Sequence, residues 1–343
     1  AMKILVTGAT GLIGAHSTVA LLRAGFSVRL FVRNAEKLNR ILAPFGFGEE
    51  DVEVVVGELD DSAAIHEALN GCDGLLHCAG IFSPDPDAAE LLHKTNVEGT
   101  RLVLEAAASA QLERVVYVSS ILALFPPVSD VMRAEDAVAE PSEMYAATKA
   151  AAERIARAHQ ASMPLTILYP GAVQGPDDPT FSIGPQLVAN ALIDGRVLVT
   201  EGGLPTTDVR DLAEIVRAVF EGRAESDRVM GPAFFLRHER YHSLLESLTG
   251  RDLAAQKMPG WMLRILGRLG DLAARLGRPV QLTSEAAAVL TRSVPVDDAE
   301  ACRLLGRAPI SDEASFRDLI DWMVRAGHLD SAAAGRAAPK AKD

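Results

Sequence analysis

The first fourteen residues constrain the fold of this chain more than any other segment. An apolar run at residues 3–7 leads directly into Gly8, Gly11 and Gly14, which are spaced three residues apart. A strand, a tight glycine turn and a helix that begins near residue 12 would aim free backbone N–H groups and a positive helix end at a diphosphate. The segment therefore predicts a dinucleotide-binding turn.

Apolar runs alternate with helical patterns through the first half of the chain. The patterns predict strands at residues 3–7, 27–32, 52–56, 74–78, 114–118 and 165–169, separated by helices at 12–24, from 34, and at 62–69, 87–110 and 142–162. Continuous apolar strands separated by helices are typical of a parallel sheet covered on both faces. The predicted fold class is α/β, a Rossmann-type doubly wound parallel sheet with a smaller C-terminal substrate-binding region. In such a fold the ligand lies at the carboxyl ends of the strands.

The regular alternation ends at Pro170, and turn-forming residues follow it. We expect a dinucleotide-binding domain at residues 2–175 and a substrate-binding region at 176–330. Segments near 205–240 are expected to return to the core of the first domain. Residues 331–343 are rich in Ala, Gly and Lys and lack an apolar period, so we expect a disordered tail.

Tyr145 and Lys149 suggest acid–base chemistry because a spacing of four residues places both on one face of the predicted helix 142–162. There the lysine charge would favour the phenolate and lower the tyrosine pKa. Ser119 and Ser120 end the apolar strand that precedes this helix. A hydride that reaches a carbonyl carbon builds negative charge on the oxygen, which such a trio can stabilise and protonate. The pattern is typical of a hydride-transfer enzyme.

The composition excludes several classes of protein. A net charge of −12 argues against nucleic acid as a partner, because phosphate binding needs a basic face. Cys72, Cys78 and Cys302 lack a C-x-x-C spacing and imply neither a disulfide framework nor a zinc site. The N-terminus enters a strand without a basic leader, and the longest apolar stretch, 115–128, is too short to span a bilayer. We expect a soluble, cytoplasmic protein with no stable membrane insertion.

Four motifs, in this order along the chain, resemble the extended short-chain dehydrogenase/reductase superfamily. They are Thr7-Gly-Ala-Thr-Gly-Leu-Ile-Gly14, Tyr117-Val-Ser-Ser120, Tyr145-x-x-x-Lys149 and Tyr169-Pro-Gly-Ala-Val-Gln-Gly-Pro176. The resemblance covers residues 3–250. Within the superfamily the chain is most similar to the dihydroflavonol-reductase-like and 3β-hydroxysteroid-dehydrogenase-like branch, which is related to the NAD-dependent epimerases and dehydratases.

The resemblance implies a bound nicotinamide dinucleotide. Gly8, Gly11 and Gly14 would form the turn and admit the diphosphate. Arg33 ends the second strand, where relatives that prefer NAD usually carry an acidic residue. A guanidinium there suits a 2′-phosphate and favours NADP(H) over NAD(H); the alternative is a solvated surface arginine. The other residues expected to contact the cofactor are Thr10, Leu12, Ile13, Glu58 (where the family usually has Asp), Leu59, Cys78, Ala79, Gly80, Tyr145, Lys149, Pro170, Gly171 and Val173.

The resemblance also implies the catalytic roles. Tyr145 transfers a proton to or from the substrate oxygen, Lys149 lowers the tyrosine pKa and holds the nicotinamide ribose, and Ser120 hydrogen-bonds the substrate oxygen. Ser119 is the alternative to Ser120. Asn96, on the predicted helix 87–110, belongs either to a structural or proton-relay network or to the helix surface.

Two further patterns have less specific interpretations. His238 and His242 match the H-E-x-x-H zinc pattern, but the neighbouring residues predict a loop at His238, so we expect no metal. Residues 261–276 carry apolar residues at helical spacing with interleaved arginines. They form either a membrane-surface helix or, as we expect, a helix that caps the substrate pocket with a solvated basic face.

The predicted function is an NADP(H)-dependent oxidoreductase that interconverts a carbonyl and a secondary alcohol on an apolar small molecule. One alternative is a nucleotide-sugar epimerase or dehydratase. Another is a non-catalytic NADP(H)-sensing regulator, although such proteins generally lack the tyrosine and the lysine. Helices at the positions of 87–110 and 142–162 build a dimer interface in many relatives, so the resemblance also implies a homodimer.

Overall fold

The secondary structure is defined for residues 2–83, 85–276 and 282–339, which the computed structural model describes. The strands are β1 (Lys3–Thr7), β2 (Ser27–Val32), β3 (Glu53–Val56), β4 (Gly74–His77), β5 (Arg114–Val118), β6 (Leu165–Tyr169), β7 (Ala172–Gln174), β8 (Arg196–Val199), β9 (Gly203–Asp208), β10 (Arg228–Met230), β11 (Phe234–Arg237) and β12 (Ala254–Lys257). The α-helices are α1 (Leu12–Arg23), α2 (Leu38–Leu42), α3 (Ser62–Leu69), α4 (Ala89–Leu92), α5 (Gly99–Ala110), α6 (Met144–Gln160), α7 (Ile183–Asp194), α8 (Val209–Phe220), α9 (His238–Thr249), α10 (Gly260–Arg275), α11 (Ser284–Thr291), α12 (Ala299–Leu305), α13 (Asp312–Arg325) and α14 (Ser331–Ala334).

A seven-stranded sheet in the order β10-β6-β5-β4-β1-β2-β3 forms the centre of the first unit. Each neighbouring pair is parallel. The central strands are buried on both faces, as shown by Ile4, Leu75 and Val115, which have no solvent exposure. Continuous apolar strands form this kind of sheet because helices cover both faces. The predicted fold class, a doubly wound parallel sheet of the Rossmann type, is confirmed.

The register of the central strands brings their carboxyl ends to the same edge of the sheet. Thr7 of β1 lies beside His77 of β4, and His77 lies beside Tyr117 of β5. Tyr117 in turn lies beside Ile167 of β6. The loops that follow these four strands therefore leave the sheet side by side, as in other parallel sheets that bind ligands at this edge.

The chain divides into two compact units whose limits differ from the predicted domains. The first consists of Ala1–Pro170, Val209–Pro232 and Asp297–Ala308, and the second of Gly171–Asp208, Ala233–Val296 and Pro309–Asp343. The first segment of the first unit thus ends at Pro170, whereas the predicted domain extends to residue 175. Its second return segment, at 297–308, had no signal in the sequence because it depends on long-range contacts. One of them joins Arg307 to the buried carboxylate of Asp211 at 2.7 Å.

The second unit contains a three-stranded sheet, β11-β9-β7, and a two-stranded parallel sheet, β12-β8. Its core includes Leu192, Leu245 and Leu319, which are fully buried. The predicted disorder from residue 331 is wrong for residues 331–339, because α14 and a 3-10 turn follow there and Ala334 packs in this core. The predicted tail residues 340–343 lie outside the described residues.

The predicted helix 87–110 is not continuous. A 3-10 turn and the four-residue α4 lead into a π-helical segment, His93–Glu98, before α5 begins at Gly99. Asn96 lies in the π-helical segment and is buried. Insertions of this kind redirect side chains within a helix and often occur at functional sites.

Helix α10 turns its apolar side chains outward. Trp261, Ile265, Leu269, Leu272 and Leu276 are between 48% and 72% exposed. The buried side of the helix carries Leu263 and Gly267, and a Cβ at Gly267 would lie 2.7 Å from the Thr283 carbonyl oxygen of the segment before α11. The predicted role of this helix, a cap over the substrate pocket, stays a prediction. None of the described helices is long and apolar enough to cross a membrane.

Replacing Gly14 by alanine should destabilise the first unit. A Cβ at Gly14 would lie 2.1 Å from the Gly8 carbonyl oxygen and 2.8 Å from the Ala9 Cα, so the backbone would have to move. We expect Gly14→Ala to lower the free energy of unfolding by about 2 kcal/mol. The matched control is Gly11→Ala, because a Cβ there would meet only the Gly8 oxygen, at 3.5 Å. Urea unfolding of both variants measures the difference, and equal losses would contradict the packing argument.

Candidate active site

The glycine turn after β1 is closely packed against the end of β4. Gly8 has a φ of +76°, and a Cβ there would lie 2.6 Å from the Ala79 backbone nitrogen. Below the turn, Thr7 Oγ1 and His77 Nδ1 share a hydrogen bond of 2.7 Å, and His77 Nε2 contacts Thr100 Oγ1 at 3.0 Å. Burial lowers the pKa of His77 to about 3, so the imidazole is neutral and serves as a buried support.

The turn leaves a helix N-terminus that fits a diphosphate. Gly11 is the N-cap residue of α1 and provides no side-chain cap, and the first turn of the helix holds no acidic residue. The positive end of the helix dipole is therefore not neutralised by a neighbouring side chain. A Cβ on Gly11 would meet little protein, so this side of the turn is open for close approach of an anion. Thr10, Leu12 and Ile13 lie in this segment.

Arg33 follows the last residue of β2 and is exposed. No hydrogen bond or ion pair joins its guanidinium to any described residue. The nearest acidic residue in sequence is Glu36. Its carboxylate accepts a hydrogen bond from the Asn34 side-chain amide at 3.4 Å, and its backbone N–H donates to the Asn34 side-chain oxygen at 2.8 Å. The edge of β2 thus presents a cation without a local carboxylate partner.

Glu58 and Leu59, two of the residues predicted to contact the cofactor, lie after β3. Glu58 is exposed, whereas Leu59 is partly buried against α5, where a Cβ on Gly99 would lie 3.2 Å from the Leu59 Cβ. Leu59 is therefore held in place by packing, and Glu58 is not. The geometry favours an apolar surface from Leu59 over a fixed contact from Glu58.

Cys78, Ala79 and Gly80 continue from β4 next to the glycine turn. Cys78 donates its backbone N–H to the Thr7 carbonyl at 3.2 Å, and the Ala79 N–H reaches Thr7 Oγ1 at 3.4 Å. Burial raises the pKa of the Cys78 thiol to about 12, so it is a neutral side chain at physiological pH. Cys78 is thus a small, unreactive side chain at this turn.

Helix α6 places Lys149 at the end of β5. Its side chain is 8% exposed, and Nζ lies 3.4 Å from the Val118 carbonyl oxygen and 5.5 Å from the centre of the Tyr117 ring. Burial disfavours the charged amine and lowers the Lys149 pKa to about 8, although the Glu153 carboxylate acts in the opposite direction. The ammonium group is thus held at the carbonyl of Val118, the residue that precedes Ser119 and Ser120 in the sequence.

Tyr145 lies one turn before Lys149, but its pKa is not lowered. Burial is the larger cause and the Glu143 carboxylate the smaller, and together they raise the pKa of the phenol to about 12. Glu143 is the N-cap of α6 and accepts the backbone N–H groups of Tyr145 and Ala146 at 3.2 and 2.9 Å. The expectation that the lysine lowers the tyrosine pKa is therefore wrong, because burial dominates and acts in the opposite direction. A phenol that stays protonated is suited to donate a proton.

The two serines after β5 have different environments. Ser119 is buried, and its backbone N–H donates to the Leu168 carbonyl at 2.8 Å. Ser120 is partly exposed, and its Oγ accepts the Leu122 N–H at 3.2 Å. Since that bond uses Ser120 Oγ as an acceptor, its hydroxyl proton can be donated to a ligand. The geometry favours Ser120 over Ser119.

Asn96 connects the loop after β4 to helix α6. Its side chain accepts the Ile81 N–H at 2.8 Å, donates to the Ile81 carbonyl at 2.9 Å and donates to Thr148 Oγ1 at 3.1 Å. Thr148 Oγ1 in turn donates to the Tyr145 carbonyl at 2.7 Å. Asn96 therefore belongs to a buried structural network and not to the helix surface.

Three residues near Tyr145 and Lys149 were missed by the sequence argument. The Phe82 ring stands edge-on to the Tyr145 ring at 5.0 Å and is 50% exposed. Glu143 and Glu153 lie before and after the tyrosine–lysine pair on the same helix. The two glutamates could have been found from their spacing to Tyr145 and Lys149, whereas Phe82 has no local signal.

The division of the chain into two units falls between Pro170 and Gly171, so Gly171 and Val173 are assigned to the second unit. Pro170 ends the first unit, where its carbonyl accepts the Ile121 N–H at 3.2 Å. Gly171 and Val173 belong to the second unit. There the Gly171 N–H donates to Thr207 Oγ1 at 3.1 Å, and a Cβ at Gly171 would lie 2.3 Å from the Pro205 carbonyl oxygen. Gly171 is required by this close packing.

The H-E-x-x-H residues lie on a helix, not in the predicted loop, because α9 begins at His238. Each histidine is engaged separately. His238 Nδ1 contacts Thr200 Oγ1 at 2.7 Å, and His242 Nε2 contacts the Leu253 carbonyl at 2.7 Å. Among the described residues no cluster of three or more His, Cys, Asp or Glu side chains could hold a metal ion.

Comparison with known proteins gives one consistent family. The sequence model of the NAD dependent epimerase/dehydratase family matches residues 4–230. A protein from Synechocystis sp. named dihydroflavonol 4-reductase is 28% identical over 94% of this chain and 95% of that protein. The 4-hydroxy-2-methyl-3-oxo-4-farnesyl-3,4-dihydroquinoline-1-oxide ketoreductase of Stigmatella aurantiaca is 28% identical over 90% of this chain and 92% of that protein. The crystal structure of gox2253 superposes with a TM-score of 0.80 at 26% identity, covering 96% of this chain and 100% of that chain.

Replacing Lys149 by methionine should stabilise the protein in a pH-dependent way. The folded-state pKa of Lys149 is about 8, against an ordinary value of 10.5, so the unfolded chain binds more protons between these values. The stability of the wild-type protein should therefore rise as the pH increases through this window and fall as the pH decreases through 8. At pH 7 the buried charge costs about 3 kcal/mol. Lys149→Met should therefore raise the free energy of unfolding at pH 7 by most of that amount.

Urea unfolding of wild type and Lys149→Met between pH 7 and pH 10 measures this effect. The stability difference should shrink toward zero as the pH approaches 10.5. Lys37→Met, at an exposed lysine, is the matched control and should show no such trend. A constant difference across the range would show that Lys149 is not held as a destabilising buried cation.

Proposed function

Because the chain belongs to the NAD-dependent epimerase/dehydratase family, we propose that it is an NADP(H)-dependent oxidoreductase. It interconverts a carbonyl and a secondary alcohol on an apolar small molecule by hydride transfer. The relatives above that carry a reductase or ketoreductase name support a redox activity on a nicotinamide cofactor. The substrate class and the preference for NADP(H) are inferred from this chain's own residues.

One observation carries the proposal. A buried lysine and a hydroxyl that can donate lie at the end of β5, at the same sheet edge as the open glycine turn, and a protonated phenol lies one helical turn before that lysine. The glycine turn after β1 fits a diphosphate, and Lys149 lies at the end of β5, two strands away in the sheet, where the nicotinamide ribose would be held. A regulator that only senses the cofactor has no need of this trio.

The proposed chemistry assigns one task to each residue. The bound cofactor supplies a hydride to the carbonyl carbon or accepts one from the alcohol carbon. Ser120 donates a hydrogen bond to the substrate oxygen as negative charge builds on it, and Tyr145 gives that oxygen its proton. In the reverse direction the tyrosine accepts the proton. Lys149 holds the ribose through its ammonium group at the end of β5.

Arg33 supports NADP(H) as the cofactor. Its exposed guanidinium follows β2, at the edge where the adenosine ribose is expected, and has no local carboxylate partner. A guanidinium pairs with a phosphate through charge-assisted, bidentate hydrogen bonds.

Phe82 supports an apolar substrate. Its half-exposed ring lies beside the proton donor, where it would face the substrate's organic part. An apolar ligand that covered this ring would bury its exposed half. A nucleotide sugar would place polar hydroxyls against such a surface.

Tyr145→Phe should lower turnover by about a hundredfold or more with little change in cofactor affinity, because the phenol supplies the proton. The measurement is NADPH oxidation with the best substrate found among ketones, aldehydes and nucleotide sugars. Tyr241→Phe, which removes a phenol from the second unit, is the matched control. Turnover of Tyr145→Phe equal to that of the control would remove Tyr145 from the mechanism.

Arg33→Ala should weaken NADPH binding and leave NADH binding nearly unchanged, because only NADPH carries the 2′-phosphate. Loss of a charge-assisted contact costs about 1.5–3 kcal/mol, or roughly ten- to a hundredfold in affinity. Calorimetric titration of both cofactors measures it, with Arg40→Ala at an exposed arginine of α2 as the control. Equal wild-type affinity for NADH and NADPH, or equal weakening of both, would refute the preference for NADP(H).

A further inference from the structure

Glu153 is a buried carboxylate one helical turn beyond Lys149. Its side chain has no solvent exposure. Tyr145, Lys149 and Glu153 follow one another at intervals of four residues, so they share one face of α6. A fully buried glutamate is uncommon unless an ion pair or hydrogen bonds compensate its charge.

The contacts of Glu153 are concentrated on one oxygen. Oε1 accepts a hydrogen bond from Tyr169 Oη at 2.5 Å and from Arg157 Nε at 2.7 Å. Arg157 is partly exposed and lies on the next turn of the helix. Among the described residues Oε2 has no hydrogen-bond partner although it is buried. Both hydrogen bonds use Oε1 and leave Oε2 without a partner among the described residues. They do not explain why a buried carboxylate stands between Lys149 and Arg157 along the helix.

The groups that face Lys149 explain why that charge matters. From β4 these are His77 and Cys78, from β5 Tyr117, and from its own helix Tyr145 and Glu153. The pKa values of His77, Cys78 and Tyr145, at about 3, 12 and 12, leave all three neutral at pH 7. Burial raises the pKa of Tyr117 as well, so it is also neutral. Of these groups, Glu153 is the one whose carboxylate favours the protonated form of Lys149.

We propose that Glu153 is a positioning residue whose buried carboxylate keeps the Lys149 ammonium protonated at the end of β5. The inference rests on the proposed function for its biological meaning, since it concerns a lysine assigned to that site. The charge effect itself can be measured without turnover. An opposite charge within several ångströms of a buried group shifts its pKa by one to three units.

The alternative is a purely structural role, in which Glu153 ties α6 to β6 through Tyr169. Tyr169→Phe separates the two explanations. It removes the hydrogen bond to Glu153 but leaves the carboxylate and its Arg157 partner in place. A structural role predicts similar effects for Tyr169→Phe and for removal of the carboxylate. A charge effect predicts a change in Lys149 for the second only.

The test is a lysine-selective carbon-13 NMR titration of the full-length protein without added cofactor, with the Lys149 signal assigned by its loss in Lys149→Arg. The wild-type midpoint should lie near pH 8. Glu153→Gln should lower it by about one unit or more. Glu153→Asp, which keeps the charge, and Tyr169→Phe should each stay within about half a unit of wild type. If Glu153→Gln does not fold, Glu153→Met removes the charge with an apolar side chain of similar length.

NADPH affinity across the same pH range separates this inference from the proposed function. At pH 8 a midpoint lowered by one unit leaves about fivefold less protonated Lys149, so NADPH should bind about fivefold more weakly to Glu153→Gln, with no difference at pH 6. A lowered midpoint with unchanged NADPH affinity supports the charge effect and refutes the assignment of Lys149 to the cofactor. An unchanged midpoint in the variant that lacks the carboxylate, or an equal shift in Tyr169→Phe, overturns the inference.

Discussion

The candidate site depends on the parallel register of β1, β4 and β5. Thr7, His77 and Tyr117 lie side by side in that register, so the glycine turn, the Cys78 loop and the serines after β5 leave the sheet together. The buried hydrogen bonds from Thr7 to His77 and from His77 to Thr100 hold the first two strand ends against the helix behind them. A shift of one residue in any pair would turn these side chains to the opposite face of the sheet.

The electrostatics of the site follow from burial. A lysine placed among an imidazole, a thiol and two phenols that are all neutral loses its hydration, and the Glu153 carboxylate offsets this loss only in part. This arrangement is unfavourable for stability, which is common where a side chain is held for chemistry. The Tyr145 phenol stays protonated for the same reason. The site thus holds a protonated phenol, Tyr145, one helical turn from Lys149, which a modest change in its surroundings would deprotonate.

The regular part of the fold was accessible from the sequence. Strands β2 and β6 and helix α3 have the predicted limits, because each is a continuous apolar run or a capped helical pattern bounded by turn residues. The break in the predicted helix 87–110 was not accessible. It depends on the bonds of Asn96 to Ile81 and Thr148, and the latter is more than fifty residues away. The order of residues 331–339 likewise depends on packing of Ala334 in a core formed by earlier segments.

The sequence by itself determined the features that arise from short stretches of chain: the glycine turn, the alternation of strands and helices, and the placement of Tyr145 and Lys149 on one helix face. Only the tertiary structure decided the environment of those residues. Whether a lysine is hydrated or buried, and which charges surround it, depends on strands that lie far apart in sequence and meet only in the sheet. For this reason the direction of the Tyr145 pKa, the choice of Ser120 over Ser119 and the charge of Glu153 beside Lys149 emerged from the fold. Spacing along a helix reports which side chains are neighbours, whereas solvation is a property of the whole packed molecule.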